Sequence, residues 1–600
     1  MNRRLVVRGL AALLAVTASL RAAPVAAQRV PGESPGARRG AVAQQQKKSD
    51  KKPKPDKGAA KKKPAKPSGK PGAKQAHAAP APVHPAVPEV PPPPATALRL
   101  ALSIERAKLD NGLRVVMNVD RTAPTVAVAL TYDVGSRNEQ RGRSGFAHLF
   151  EHMMFQGSKN LQKGEHFKLV SGHGGIADGT TSTDRTNYYQ VLPANELALA
   201  LWLEADRMKS LAVTADNFDN QRKVVQEEYR MRVSNVAYMP SALRLQELVY
   251  QGYWPYEHTG IGSMADLEGA KLEWVQEFFA SHYAPNNAVL TIAGDFDPAE
   301  AMALVQKYFG SARKSDVPRF EEQALPEQTS QRTAVLKDSF ARAPGVLYGW
   351  AIPPARHADH YALEMCALLL GEGESSRLHQ VLVRDKALAV EVSAFTEDRR
   401  GPDLFTIDAK LAQGAKVGDA EKLIEAEVKA LATRGPSDAE LEKVRRRAQA
   451  SLVLGLQSNL DRATRLGQYE VFHGDARTIN EESERYLAVG KKDIERVAAQ
   501  YLGPTRRTIV ETYAADAAAV QAKPGASKVA GASGTAPASS GSGKGGGAGA
   551  GTGGGDGSGH KAGARKDGGK DAKKDGGKDA KKDGKDAKKP SATPAKKKKP

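Results

Sequence analysis

Residues 144–156, SGFAHLFEHMMFQ, constrain this chain more than any other stretch. Phe146, Leu149, Phe150, Met153 and Met154 recur at i, i+3, i+4, i+7 and i+8, the apolar stripe of a helix. His148 and His152 stand one turn apart, so both imidazoles leave the same side. Glu151 lies beside both. The apolar stripe and the His/Glu/His stripe together leave little helix surface for water, so the three ionisable side chains need a shared partner. Two neutral imidazoles one turn apart form a bidentate site for zinc, and an adjacent carboxylate can hold a metal-activated water. The order His-x-x-Glu-His reverses the commoner His-Glu-x-x-His. The plainer alternative is a buried helix with incidental histidines. It is disfavoured because the 600-residue chain holds only 13 histidines.

A catalytic zinc takes three protein ligands and keeps one position open. A charged helix over residues 218–230 offers the third. Gln221, Val224, Val225 and Glu228 share one face, with Glu227 rotated about 100° away. Either glutamate is a candidate carboxylate ligand, against the ordinary role of a solvated helix residue.

The termini read differently from the middle. Residues 1–27 carry Arg3, Arg4 and Arg8, an apolar run from Leu10 to Leu20 and a small-residue site ending at Ala27. This pattern predicts a secretory signal peptide and an exported, periplasmic or secreted protein. Residues 28–100 form a Lys/Pro/Ala-rich linker that cannot bury enough apolar surface to fold. Residues 516–600 are Gly-rich and then repeat Lys-Asp-Ala-Lys-Lys-Asp-Gly, a disordered tail by composition. The net charge of +21 resides in these segments, and residues 101–515 are slightly acidic. A basic isoelectric point is therefore no argument for a specific nucleic-acid partner. Such lysine runs read first as solvated linkers, and weak contact of the tails with anionic envelope polymers is the sharper alternative. The single cysteine, Cys366, excludes an intrachain disulfide and sits in an apolar run that predicts burial.

Between the tails, strand and helix patterns alternate. Leu109-Asp-Asn-Gly112-Leu predicts a hairpin turn. Strands are expected over 126–134, 180–192, 288–294, 345–352, 390–395, 404–411 and 507–513. Helices are expected over 165–170, 195–208, 272–283, 297–309, 361–370, 376–384 and 492–502. Residues 254–262 read as a loop. Ser437 and Glu440 form a capping box that opens a long helix. The polar, proline-marked stretch 311–332 predicts a linker between an N-terminal domain, 101–318, and a C-terminal domain, 333–515. Strands and helices intermixed in both halves predict two α/β or α+β units of similar size, with no sequence repeat between the halves.

Several motifs follow one another in this core: Gly135-Ser-Arg…Glu139; Gly145-x-Ala-His148-Leu-Phe-Glu151-His152-Met-Met-Phe-Gln-Gly157; Gly174-Gly175…Thr181-Ser182-x-Asp184-x-Thr186-x-Tyr188; Val224-Val225-x-Glu-Glu228; Tyr283-x-Pro285-x-Asn287; Gly294-Asp-Phe-Asp297; and Ser375-Ser-Arg-Leu378. With them the core resembles the insulinase/pitrilysin metallopeptidases, most nearly the short bacterial members similar to mitochondrial processing peptidase. The resemblance implies two related α/β-sandwich domains and one zinc per chain, held by His148, His152 and Glu228. It implies an inverted-zincin endopeptidase in which Glu151 is the general base and a metal-activated water hydrolyses peptides or unfolded segments. It further implies that substrate adds a strand to a sheet edge after Gly174-Gly175, with contacts from Asp178, Thr181, Ser182 and Arg384. Family members usually close as dimers around a chamber.

Three departures from the family stand out. Asp178 replaces a frequent Asn. Gln221 replaces a frequent Glu seven residues before the third ligand, which weakens a role there. Val390 occupies the place of a Tyr that pairs with Arg384, and valine has no donor to offer. The last predicts a heterodimer with a metal-free homologue. The alternative reading is a non-catalytic peptide-binding or scaffold subunit of an envelope protease complex.

Overall fold

The turn at Asn111-Gly112 joins β1 (Glu105–Lys108) to β2 (Arg114–Val119), antiparallel with Lys108 opposite Arg114. The computed structural model describes residues 100–515 and the backbone of Ser527–Lys528. The signal peptide, the linker before residue 100 and nearly all of the C-terminal tail lie outside the described residues.

β3 (Thr125–Tyr132), β4 (Ile176–Thr181), β5 (Thr186–Pro193) and β6 (Ala288–Gly294) complete a first sheet in the order β1-β2-β6-β3-β5-β4. Only β2 and β6 run parallel within it. The single strand predicted over 180–192 is instead a hairpin. Its chain reverses between Thr181 and Thr186, where Ser182 N–H donates to the Arg185 carbonyl at 2.8 Å. Ser and Asp favour such turns because their side chains bond the local backbone, a signal the Thr/Tyr-rich flanks masked.

The second sheet joins β7 (Arg332–Asp338), β8 (Gly345–Ile352), β9 (Ala389–Phe395), β10 (Asp403–Leu411), β11 (Arg507–Ala514) and β12 (Ser527–Lys528) in the order β12-β7-β11-β8-β10-β9. The parallel pair β7/β11 followed by antiparallel β8, β10 and β9 reproduces β2/β6 followed by β3, β5 and β4. The halves are thus related in topology although their sequences show no repeat. β7 begins where the linker was expected to end, and β12 pairs beside it from within the predicted tail. Two further readings change. Residues 254–257 are a short helix rather than loop, and the helix expected over 376–384 is a π-helix at His379–Asp385.

Each half lends a helix to the other. Asn459–His473, from the second half, lies on the first sheet, with Ala463 packed against Ala127, Ala129 and Ala293. Small residues are needed for this close approach: a Cβ on Gly467 would stand 2.6 Å from Thr131 Oγ1. Conversely, Met239–Val249 packs Leu245, Leu248 and Val249 against Leu347, Leu404 and Val510 of the second sheet. Each such aliphatic side chain contributes about 1.5–3 kcal/mol on burial. A strand covered on both sides is largely apolar, and every residue of β6 is buried, Thr291 being its one polar side chain. Cys366 lies in the second core, and burial pushes its thiol pKa up, which keeps it inert. Among the described residues no helix is long and apolar enough to cross a membrane.

Candidate metal centre

The predicted helix is α1 (Phe146–Met153), its apolar stripe buried in the first core. Its start is tied down by Glu139, whose carboxylate accepts the N–H groups of Gly145 at 2.9 Å and Ala147 at 2.7 Å. A carboxylate at a helix N-terminus satisfies otherwise orphaned donors. The charged helix is α2 (Ala215–Tyr229), begun by the Thr214 cap. α2 buries Gln221, Val225 and Glu228 and turns Glu228 toward α1.

His152 Nε2 lies 3.2 Å and His148 Nε2 3.7 Å from Glu228 Oε2. One ligand atom from each residue lies within 4.8 Å of the others, a cluster of three on two helices. Glu227, the other candidate, is 60% exposed and pairs with Arg230 at 3.0 Å. Zinc bonds of about 2.0–2.1 Å in tetrahedral geometry place ligand atoms about 3.3 Å apart, so the spacing fits one such ion. Both ring nitrogens of His148 are buried with no hydrogen-bond partner. Buried polar atoms are rarely left so, and a cation at this point would satisfy one of them. The donor set therefore fits zinc.

The electrostatics of His148 and Glu228 agree with a ligand role. Burial, reinforced by His152, drives the His148 pKa down to about 3, which keeps its ring neutral and able to ligate. Burial also opposes charge on His152, but Glu228, Glu151 and Gln221 together outweigh it and raise its pKa. Burial likewise opposes charge on Glu228, yet His152 and His148 hold its carboxyl below the usual range. Burial pushes Glu151 up to about 7, against the pull of Thr181.

Glu151 stands apart from the three as their neighbour. Thr181 Oγ1 donates to Glu151 Oε2 at 2.5 Å. β4, which carries Thr181, is the outermost strand on its side of the first sheet. Gly179 of that strand lets α1 come close, since a Cβ there would meet Glu151 Cγ at 3.1 Å. Thr181, expected to touch substrate, thus spends its hydroxyl on Glu151. Ser182 Oγ donates to the Arg185 carbonyl inside the turn, at 3.2 Å. Asp178 lies on β4 and accepts the Gly179 N–H at 2.8 Å. Arg384 is not brought into the cluster. It is 63% exposed and pairs with Asp385, while Val390 on β9 is 67% exposed.

Two contacts escaped the sequence reading. Gln221 hydrogen-bonds the His152 side chain, so the replacement of Glu retains a partner for that ring. Arg232, on the π-helix Arg230–Ser234, places Nε 3.1 Å from Glu228 Oε1 and leaves Oε2 toward the histidines. Its i+4 spacing from Glu228 was the available signal. Arg232→Gln is expected to weaken zinc binding about tenfold with the fold retained, as measured by competition with a chromophoric chelator.

Known proteins match this arrangement. The family model described as Insulinase (Peptidase family M16) matches residues 114–253, and Peptidase M16 inactive domain matches residues 270–448. The zinc protease PqqE of Helicobacter pylori is 32% identical over 412 residues, 68% of this chain and 92% of that protein. A Schizosaccharomyces pombe chain named probable mitochondrial-processing peptidase subunit beta is 24% identical, over 66% of this chain and 88% of its own. The crystal structure of a protease from Helicobacter pylori superposes with a TM-score of 0.64 at 31% identity, covering 69% of this chain and all of that one. Two related mixed helix-and-sheet halves, the first carrying the His-x-x-Glu-His helix in its core, define the class as metallopeptidase-like. The chain belongs to the insulinase family, peptidase family M16.

Proposed function

We propose that this chain is a zinc-dependent endopeptidase that hydrolyses peptides or unfolded protein segments. The observation that carries this is the convergence of His148, His152 and Glu228 beside a buried Glu151, next to β4, the outermost strand of the first sheet among the described residues. The two histidines and Glu228 would hold one zinc, which when bound supplies Lewis acidity to water and to the scissile carbonyl. A peptide adds to the open edge of β4, where backbone pairing holds it extended alongside Glu151. Glu151 accepts a proton from the attacking water at its carboxylate and returns it to the leaving amine. Thr181 orients that carboxylate. The reading takes in export by the 1–27 segment, two peptidase domains at 101–318 and 333–515, and a dimer.

A second reading rests on Val390. Its exposed side chain has no donor where the family pairs a Tyr with Arg384. Under it, cleavage requires a metal-free homologue that supplies the pair.

The deciding experiment measures zinc content and cleavage of a quenched peptide library by the purified chain, alone and with any co-purifying homologue. About one zinc per chain and chelator-sensitive cleavage that zinc restores is the expected result. Cleavage only with the homologue selects the heterodimer. Absence of both zinc and cleavage under either condition overturns the peptidase and leaves a binding subunit.

A further inference from the structure

The hydroxyl that holds Glu151 belongs to Thr181, and the turn that follows Thr181 is gripped from three directions. Ser136 and Arg137 N–H groups donate to the carbonyls of Ser182 at 3.3 Å and Thr183 at 2.9 Å. Asp184, only 3% exposed, accepts from Arg137 Nη1 at 3.1 Å and from Tyr256 Oη at 2.8 Å. Its other oxygen accepts the backbone N–H of Arg400 at 3.0 Å, from the loop between β9 and β10 of the second half. The neighbouring Gly401 N–H donates to Tyr256 Oη at 2.7 Å, and the Arg400 guanidinium pairs with Asp133. The bonds form a closed ring: Asp184, Tyr256, Gly401 and Arg400. A carboxylate receiving this many donors in a buried site is held in one place, and so is the turn it belongs to.

We infer that Asp184 is a positioning residue for the catalytic base, through which the second half of the chain holds the Thr181 hydroxyl against Glu151. The inference rests on the peptidase reading above. It gives the second half a part in the chemistry although the three cluster residues all belong to the first half. Loss of the grip lets the turn move, Glu151 loses its partner, and its carboxylate no longer points at the water. A misplacement of about 1 Å at a reacting group costs on the order of a hundredfold in rate.

The test compares Asp184→Asn, Tyr256→Phe, Thr181→Val, Thr181→Ser and the Asp184→Asn/Thr181→Val double variant, in whichever assembly cleaves. Asp184→Asn and Tyr256→Phe are expected to lower kcat by about 10- to 100-fold with KM changed by less than about threefold and zinc content unchanged. Thr181→Val falls like Asp184→Asn, whereas Thr181→Ser, which keeps the hydroxyl, recovers most of the activity that Thr181→Val loses. The double variant is no slower than Thr181→Val alone, because both act through one bond. Independent of activity, amide hydrogen exchange rises over residues 181–185 in Asp184→Asn and stays unchanged over 146–153.

Asp184→Asn strips Arg137 of its buried partner. If that variant fails to fold, Tyr256→Phe decides, since it leaves the ion pair in place. The inference is overturned by kcat within about twofold of wild type in the folded variants, by losses that multiply in the double variant, or by loss of zinc. Failure of the peptidase reading shows instead in the wild type, as absent zinc or absent cleavage, and takes the inference with it.

Discussion

Glu151→Gln binds zinc at wild-type occupancy and cleaves peptides about 10²- to 10⁴-fold more slowly. The amide has the size of the carboxylate, so the packing against Gly179 is kept, and its oxygen still accepts from Thr181 Oγ1. What it loses is the capacity to take a proton. The three ligand atoms lie on other residues, so metal content does not fall. Burial opposes charge on Glu151, so neutralising it does not destabilise the fold, and Tm is expected to hold or rise slightly. The checks are metal analysis, Tm and steady-state kinetics on one preparation. Equal cleavage by wild type and variant would assign the base to another residue.

His148→Ala produces the complementary failure, with metal and cleavage lost together. One of three converging ligands is removed, so zinc affinity falls by more than the 10- to 100-fold typical of deleting an outer partner. Added zinc at a hundred times its Kd stabilises the wild type by about 2.7 kcal/mol, and His148→Ala forgoes that gain. Without metal the two proteins should melt at similar temperatures. The substitution opens a cavity, but it also removes two buried nitrogens that have no partner. Thermal melts with and without zinc, beside equilibrium dialysis, separate the outcomes. A variant that keeps zinc and activity would exclude His148 as a ligand.

These effects fall on residues of unequal legibility. The His148/Glu151/His152 stripe was readable because all three lie within two turns of one helix, where covalent spacing sets direction. The choice of Glu228 over Glu227 was narrowed by the same periodicity. It was decided by which side of α2 meets α1, since Glu227 is left in solvent with Arg230. Val224 shows the limit of the pattern: it shares the predicted face with Glu228 yet remains 42% exposed. The 180–192 segment failed for a different reason. Its strand-forming flanks outweighed the Ser182–Arg185 turn, and that reversal is what makes β4 an edge.

By itself the sequence determined the helix that carries the histidines, the alternation of strands and helices, the capping of the helix at Ser437 and the family likeness. Each is a short-range pattern or a string of motifs written along the chain. Only the tertiary structure decided that Thr181 meets Glu151, that Arg232 braces Glu228, that the halves exchange covering helices and that Arg400 and Gly401 reach the turn beside the base. Those partners are far apart in sequence and are chosen by packing. Small residues such as Gly467 admit a helix from the other half, and buried donors must find acceptors wherever the fold places them.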